Sequence, residues 1–248
     1  MRTANPALNS KTFQEYSSRT GVMDSMTIQG TVNKTAIMLC CLLLSAGWTW
    51  NMFYSSGNPA LVMPWMIGGA IGGFVVALIT VFKKTAAPVT APIYALLEGL
   101  FIGGISSIFE AKYPGIVIQA VGLTFGTLFA LLFAYKSGLI KATENFKLGV
   151  AAATGSIMLI YVASMLLGFF GISIPFIHDS GPFGILFSLV VVVIAALNLV
   201  LDFDFIEHGA EQGVPKFMEW YAAFGLMVTL VWLYIEMLRL LAKLRSSR

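Results

Sequence analysis

Carboxylates inside long apolar runs are the residues of this sequence best placed to do chemistry. Glu98 lies in the run ALLEGLFIGG, and Glu219 and Glu236 lie toward opposite ends of the last apolar run. An ionised carboxylate is costly in hydrocarbon, so such residues usually face a bundle interior or a water-filled path. We therefore interpret them as candidates for an ion pathway or a pH sensor.

The segment LVLDFDFIEHG carries a second group of acids, directly after an apolar run. Asp202 and Asp204 are separated by about 200° around a helix, which predicts that one points inward and the other toward the membrane interface. Asp204 and His208 are four residues apart, so they lie on one face and could share a proton or a hydrogen bond. A solvated acidic cap that includes Glu207 is the alternative interpretation.

This chain has few residues that could bind a transition metal or a cofactor. Cys40 and Cys41 are adjacent in the first apolar run, and we place His178 and His208 in loops on opposite sides, so no zinc ligand set is expected. Oxygen ligands favour Ca²⁺, which makes Asp202 a possible calcium-associated carboxylate and calcium a possible transported ion. We expect no bound cofactor.

Catalysis is also not expected. Intramembrane aspartyl proteolysis needs aspartates on two separate spans, and only the sixth apolar run is followed by any. A serine–histidine pair would need a histidine at membrane depth. We predict that the protein is not an enzyme, and that its surroundings are a lipid bilayer and not nucleic acid.

The elements that must position these acids are seven apolar runs of roughly twenty residues, the length that crosses a bilayer core of about 30 Å as a helix. Only 11% of the residues are charged. The pattern predicts an all-α integral membrane protein with one transmembrane domain over residues 34–244, preceded by a polar, mostly mobile tail over residues 1–33. The predicted spans are Ala36 to Met52, Val62 to Phe82, Ala91 to Phe109, Pro114 to Tyr135, Leu148 to Phe170, Phe183 to Leu201 and Met218 to Leu241.

Glycines in the second and third spans are expected to form a close packing seam, because small residues let helix backbones approach in lipid. A lined cavity is the alternative. These glycines are Gly68, Gly69, Gly72, Gly73, Gly99, Gly103 and Gly104.

The distribution of lysine and arginine predicts a cytoplasmic N-terminus. With that orientation ten basic residues fall on the cytoplasmic side, against Lys112 in the outer loops. The C-terminal cluster of Arg239, Lys243, Arg245 and Arg248 opposes the bias, so the last segment is either re-entrant or tolerates late charges. We favour seven spans. The ten cytoplasmic residues are Arg2, Lys11, Arg19, Lys34, Lys83, Lys84, Lys136, Lys141, Lys147 and Lys216.

The block LVLDFDFIEHGAEQGVPKFMEWYAAFGLMVTLVWLYIEMLRLLAKL, the tail MRTANPALNSKTF and the EGL segment of span three resemble the Bax inhibitor-1/YccA (transmembrane Bax inhibitor motif) family, in a bacterial branch. The resemblance covers nearly the whole chain. It implies a seven-helix bundle with a central C-terminal helix, located in the cell inner (plasma) membrane. It also implies a link to calcium leak, to suppression of cell death, and to interaction with a membrane-bound protease.

The family's carboxylate pair transfers only in part. Asp202 matches the aspartate that ends the sixth span, with Leu201 in the aromatic position before it and Ile206 in the later apolar one. Counting back from Arg239, the family's second aspartate falls on Thr229, which is not an acid. Any second carboxylate must therefore come from Asp204, Glu98, Glu219 or Glu236.

Two function classes follow from these residues and the resemblance. In the first, Asp202 and a second acid share a proton and gate a pH-sensitive calcium leak, since two close carboxylates cannot both ionise. In the second, the bundle transports nothing and regulates other membrane proteins, such as a membrane protease, by binding them. A proton-coupled transporter is less favoured, because the expected internal repeat is not evident.

Overall fold

The computed structural model describes residues 25–171 and 179–247, and these residues are almost entirely helical. Most of the predicted tail, together with His178 and Arg248, therefore lies outside the described residues. A short 3₁₀ turn over Lys84–Ala86 leads into the third helix. The helices are α1 (Ile28–Ser56), α2 (Pro59–Phe82), α3 (Ala87–Lys112), α4 (Ile116–Lys136), α5 (Glu144–Phe169), α6 (Pro182–Glu211) and α7 (Met218–Ser246).

All seven helices in the described part of the chain are long and apolar enough to cross a membrane, which confirms the predicted fold class. The shortest, α4, has 21 residues, and at 1.5 Å per residue it extends about 31 Å. The last helix is continuous over 29 residues. That length suits a full crossing better than a re-entrant segment.

Two helix boundaries differ more than the others from the predicted spans. Helix α1 begins at Ile28, inside the predicted tail, because Thr27 caps it by accepting a hydrogen bond from the Gly30 N–H. Helix α6 continues past the apolar run to Glu211 and is followed by Gly213 at φ 61°. The prediction that His208 lies in a loop is therefore wrong, since it occupies the last turn of α6.

The chain divides into two compact units, which are described separately. The N-terminal unit contains residues 25–114 and 204–228 of the described chain. The C-terminal unit contains residues 115–171, 179–203 and 229–247. Helices α6 and α7 each contribute one part to either unit.

In the N-terminal unit, glycines bring three helices into close contact. A Cβ atom added at Gly99 or Gly103 of α3 would meet backbone and side-chain atoms of α1, among them the carbonyl oxygens of Leu42 and Ala46. A Cβ at Gly69 of α2 would lie 2.5 Å from the Leu97 carbonyl oxygen of α3. The predicted packing seam is confirmed for these positions. Gly68 is the exception, because open space surrounds it.

In the C-terminal unit, helices α5 and α6 pack with their chains running in opposite directions. The Asn198 side-chain amide donates a hydrogen bond to Thr154 Oγ1 at 2.8 Å. Toward the other end of the pair, the rings of Tyr161 and Phe187 lie 6.3 Å apart. These two contacts set the register of α5 against α6.

Helix α7 is the most buried of the seven described helices. In its most apolar stretch of 18 residues, 61% of the residues are buried. The family resemblance predicted that the last helix is the innermost one. A helix buried on most sides offers little surface to lipid, so its polar side chains must find partners within the protein.

Candidate functional site

Four of the predicted acids are almost fully buried: Asp202, Asp204, Glu219 and Glu236. The prediction that only one of Asp202 and Asp204 points inward is wrong. Every side chain from Leu199 to Ile206 is buried, so this stretch of α6 has no face open to solvent or lipid. Both aspartates therefore lie in protein surroundings, on different sides of the helix.

Asp204 and His208 are neighbours in the N-terminal unit, as their four-residue spacing predicts. The His208 Nδ1 atom lies 3.4 Å from Asp204 Oδ1 and 2.9 Å from the Asp204 backbone oxygen. When Nδ1 carries a proton it can donate to either oxygen, so the imidazole ring is oriented by its own helix. The half-buried Glu207 lies beside this pair in sequence.

Glu219 lies in the first turn of α7, where it binds the start of α1. Its Oε1 atom accepts hydrogen bonds from the Thr27 backbone N–H at 3.1 Å and from the Thr27 hydroxyl at 3.0 Å. Its Oε2 atom lies 3.2 Å from the Lys34 ammonium. Gly30 faces the same carboxylate, and a Cβ there would overlap Glu219 Oε1. Glu219 is thus neutralised by a cation and held by an N-cap residue.

The chain just before α1 is attached to the α6–α7 loop in the same unit. The Met26 N–H donates to the Val214 backbone oxygen at 2.7 Å, and Ser25 forms an isolated bridge with Pro215. Sequence reasoning missed the whole Glu219 arrangement. The available signal was a capping threonine followed seven residues later by a lysine at the edge of an apolar run.

Glu236 forms a compact polar cluster in the C-terminal unit. Its Oε1 atom accepts hydrogen bonds from the Tyr161 hydroxyl at 3.0 Å and from Arg239 Nη1 at 2.8 Å. Arg239 Nη1 also donates to the Tyr161 oxygen at 2.8 Å. The position of Glu236 one turn before Arg239, near the end of the last apolar run, predicts a side chain that reaches water. That prediction is wrong, because Glu236 is 1% exposed and has Tyr161 of α5 and Arg239 as its partners.

Two other basic residues near the C-terminus also have partners within the C-terminal unit. The Lys243 ammonium donates to the Gly184 carbonyl oxygen at 3.0 Å, and Arg245 donates to Gln119 at 3.0 Å. Together with Arg239 they fasten the end of α7 to α4, α5 and α6. These three basic residues at the C-terminus, which oppose the cytoplasmic bias of lysine and arginine, therefore stabilise the packing of α7 in the C-terminal unit.

Asp202 lies in the C-terminal unit and is 1% exposed, with both carboxylate oxygens enclosed. Thr229, which stands where the family pattern has its second aspartate, is also buried in this unit. The two positions are therefore enclosed by protein even though only one of them carries an acid.

The apolar neighbours of Glu98 in sequence predict that it is the best-buried acid of the chain. That prediction is wrong, because Glu98 is only half-buried. Its Oε2 atom would lie 3.1 Å from a Cβ placed at Gly73 of α2. Because α2 has glycine at that position and not a larger side chain, the carboxylate is less covered than those of α6 and α7. It faces a neighbouring helix, as predicted.

The described residues contain no group of three or more histidine, cysteine, aspartate or glutamate side chains that could hold a metal ion. Cys40 and Cys41 are free thiols. Each buried acid of α7 is instead compensated by a lysine or an arginine.

The part of the chain that the structure describes contains seven membrane-length helices with acids buried inside them, and this defines the class: the protein is a multi-pass α-helical membrane protein. The chain belongs to the Bax inhibitor 1 like family, whose family model matches residues 5–246. No curated protein and no solved structure gave a significant match.

Proposed function

We propose that the protein is a pH-sensitive leak pathway for calcium, with Asp202 as the gating carboxylate. The observation that carries the proposal is the complete burial of Asp202 in a membrane-length helix that contains no lysine or arginine. Ionisable groups placed in this way usually serve an ion path. The choice of calcium follows what the resemblance to the Bax inhibitor family implies.

The choice of ion is supported by the donor chemistry of the acids. Carboxylate oxygens are hard ligands, which suit Ca²⁺ better than softer transition metals. Asp202 and the half-buried Glu98 would each offer such oxygens. A carboxylate that gains or loses a proton changes the charge along a path, so the flux through it depends on pH.

The gate is assigned to Asp202 because it matches the aspartate that ends the sixth span in the family pattern and is almost fully buried. Glu219 is paired with Lys34 and Glu236 with Arg239. Neither of these two acids stands at the family position.

Calcium flux in liposomes tests this proposal. Purified protein reconstituted with an enclosed calcium indicator is measured across a pH series. We expect a pH-dependent flux that loses its pH dependence in Asp202→Asn and keeps it in Glu207→Gln, a matched change at a half-buried acid of the same helix. Equal loss in both variants would argue for a general acidic cap and against a gate at Asp202.

A non-transporting membrane regulator is the second candidate. It is favoured by the neutralisation of Glu219 and Glu236, since acids used as structural ties need no ion path. Absence of flux from correctly folded protein at every pH, together with co-purification of a membrane protease, would select this class.

Location and catalysis complete the proposal. We place the protein in the inner (plasma) membrane of a bacterial cell with its N-terminus in the cytoplasm, because loop lysines concentrate on that side. We assign it no enzymatic activity and no resident cofactor. Its surroundings are the lipid bilayer, and calcium or protons are its proposed cargo.

A further inference from the structure

Lys147 is a buried cation in the first turn of α5. Its side chain is 3% exposed. Glu144 lies 3.5 Å from its ammonium, but 71% of the Glu144 side chain is exposed. Water and salt screen an exposed ion pair, so this contact compensates little of the cost of burying the ammonium.

The helix end makes the position still less favourable for a positive charge. The N-terminus of an α-helix carries a partial positive charge, which repels a lysine in the first turn. A buried ammonium in this place needs a well-enclosed carboxylate as its partner.

The register of α5 against α6 points to the carboxylate. Thr154 is hydrogen-bonded to Asn198. Asp202 lies one turn beyond Asn198 on the same face of α6, about 6 Å along the axis. Since the helices are antiparallel, Lys147 lies beyond Thr154 in the same direction, about 10.5 Å along α5. The remaining difference of about 4.5 Å is within the reach of an extended lysine side chain.

The exposed and buried faces of α5 agree with this register. Lys147, Val150 and Ile157 are its buried residues, at spacings that place them on one face together with Thr154. Lys147 therefore extends from the face of α5 that packs against α6. Asp202 in turn is enclosed on the face of α6 that carries Asn198.

We propose that Lys147 and Asp202 form a buried ion pair, and that this pair keeps the ion path closed. The pairing itself is independent of the proposed function, whereas its gating role rests on the calcium-leak proposal. The family pattern pairs the aspartate at the position of Asp202 with a second aspartate, and this chain has Thr229 in place of that second acid. Here Lys147 of α5 would be the partner of Asp202 instead. A cation that enters the path must then compete with the Lys147 ammonium for Asp202.

A double-mutant cycle on the full-length protein in detergent tests the pairing. We expect Lys147→Met and Asp202→Asn each to lower the apparent melting temperature, and the double variant to lose clearly less than the sum of both shifts. Lys147→Arg should keep most of the stability, because it retains the charge. Lys141→Met, at an exposed loop lysine, is the control and should be additive with Asp202→Asn.

Infrared spectroscopy provides a readout that a purely structural role would not change. With ¹³C-labelled aspartate at neutral pH, the wild-type protein should lack the C=O band of a protonated Asp202, and Lys147→Met should gain it. Asp202→Asn identifies the band. A protonated Asp202 already present in the wild type and unchanged in Lys147→Met would overturn the ion pair, as would additive melting shifts.

Calcium flux through the same variants separates this inference from the proposed function. Lys147→Met should raise the leak at neutral pH several-fold, whereas Lys141→Met should not. Coupled melting shifts without flux in any variant would support the ion pair and contradict the leak. Flux that is unaffected by Lys147→Met would overturn the gating role of the pair.

Discussion

The two ends of α7 each carry a glutamate that is almost fully buried and paired with a base, yet the two arrangements differ. Glu219 obtains its partners from α1, 192 residues away in sequence for Thr27. Glu236 obtains its cation three residues away, from Arg239 of its own helix. Thus Glu219 forms a long-range tie, that is, a set of contacts that join the start of α7 to the start of α1 within the N-terminal unit. Glu236 forms mainly a local ion pair within α7, with Tyr161 of α5 as an additional partner.

The accessible surface of the bases adds a second difference. The Lys34 side chain is 23% exposed, whereas that of Arg239 is 38% exposed. Glu219 also accepts hydrogen bonds from the backbone N–H and the hydroxyl of Thr27, whereas Glu236 accepts hydrogen bonds from side chains. We therefore expect the two ends to respond unequally to the same substitution.

The largest expected effect is all-or-none: the two ends of α7 lie on opposite sides of the membrane, so a cysteine near each end should be labelled from one side only. In a background with Cys40→Ser and Cys41→Ser, Ser247→Cys should react with an impermeant maleimide in intact cells. Lys216→Cys should react only after permeabilisation, because loop lysines resist translocation. Labelling of both cysteines from one side would restore the re-entrant interpretation of the last segment.

Loss of the carboxylate at the start of α7 should have the largest effect on stability. Glu219→Ala removes two hydrogen bonds and leaves Lys34 without its ion-pair partner, so we expect a loss of about 3 kcal/mol. Denaturation in mixed micelles, followed by tryptophan fluorescence, measures it. Glu211→Ala, at an exposed acid, should change stability by less than about 0.5 kcal/mol. Equal effects would mean that Glu219 is not a tie.

Gly30 tests the same tie from the side of α1. A Cβ at Gly30 displaces the Glu219 carboxylate, so Gly30→Ala should lose about 1–2 kcal/mol despite the higher helix propensity of alanine. Gly47→Ala is the matched control in the same helix, where nothing lies within 4 Å of the added atom. It should be neutral or stabilising. A stabilised Gly30→Ala variant would contradict the observed contact.

The smallest effect is expected at the other end of α7. Glu236→Ala frees Arg239, whose partly exposed side chain can be solvated, so the loss should be about 1–2 kcal/mol. Tyr161→Phe removes one hydroxyl and should lose about 1 kcal/mol. The same denaturation assay applies. A loss at Glu236 as large as that at Glu219 would remove the distinction between a local pair and a long-range tie.

Local pattern was sufficient for several features. Apolar runs of membrane length predicted the seven helices, because lipid allows few other structures to cross it. The four-residue spacing of Asp204 and His208 predicted their contact, and the glycines of α2 and α3 predicted a close seam. Each of these follows from the repeat of a helix or from the bilayer thickness.

Burial depended instead on what covers each position. Glu98 is flanked by leucine and phenylalanine in sequence, but it faces Gly73 of α2, which has no side chain to cover it. It is therefore less enclosed than expected. One of Asp202 and Asp204 was expected to point toward the interface, but both are buried. Neighbours in sequence do not tell which surfaces a helix presents to other helices.

The sequence by itself determined that this chain is a seven-helix membrane protein with acids at membrane depth, because hydropathy and helical periodicity are local properties. Only the tertiary structure decided which acids are neutralised and by what. Lys34 reaches Glu219 and Tyr161 reaches Glu236 across 185 and 75 positions of the chain. Contacts of that kind arise from helix packing and register, which no short window of residues records.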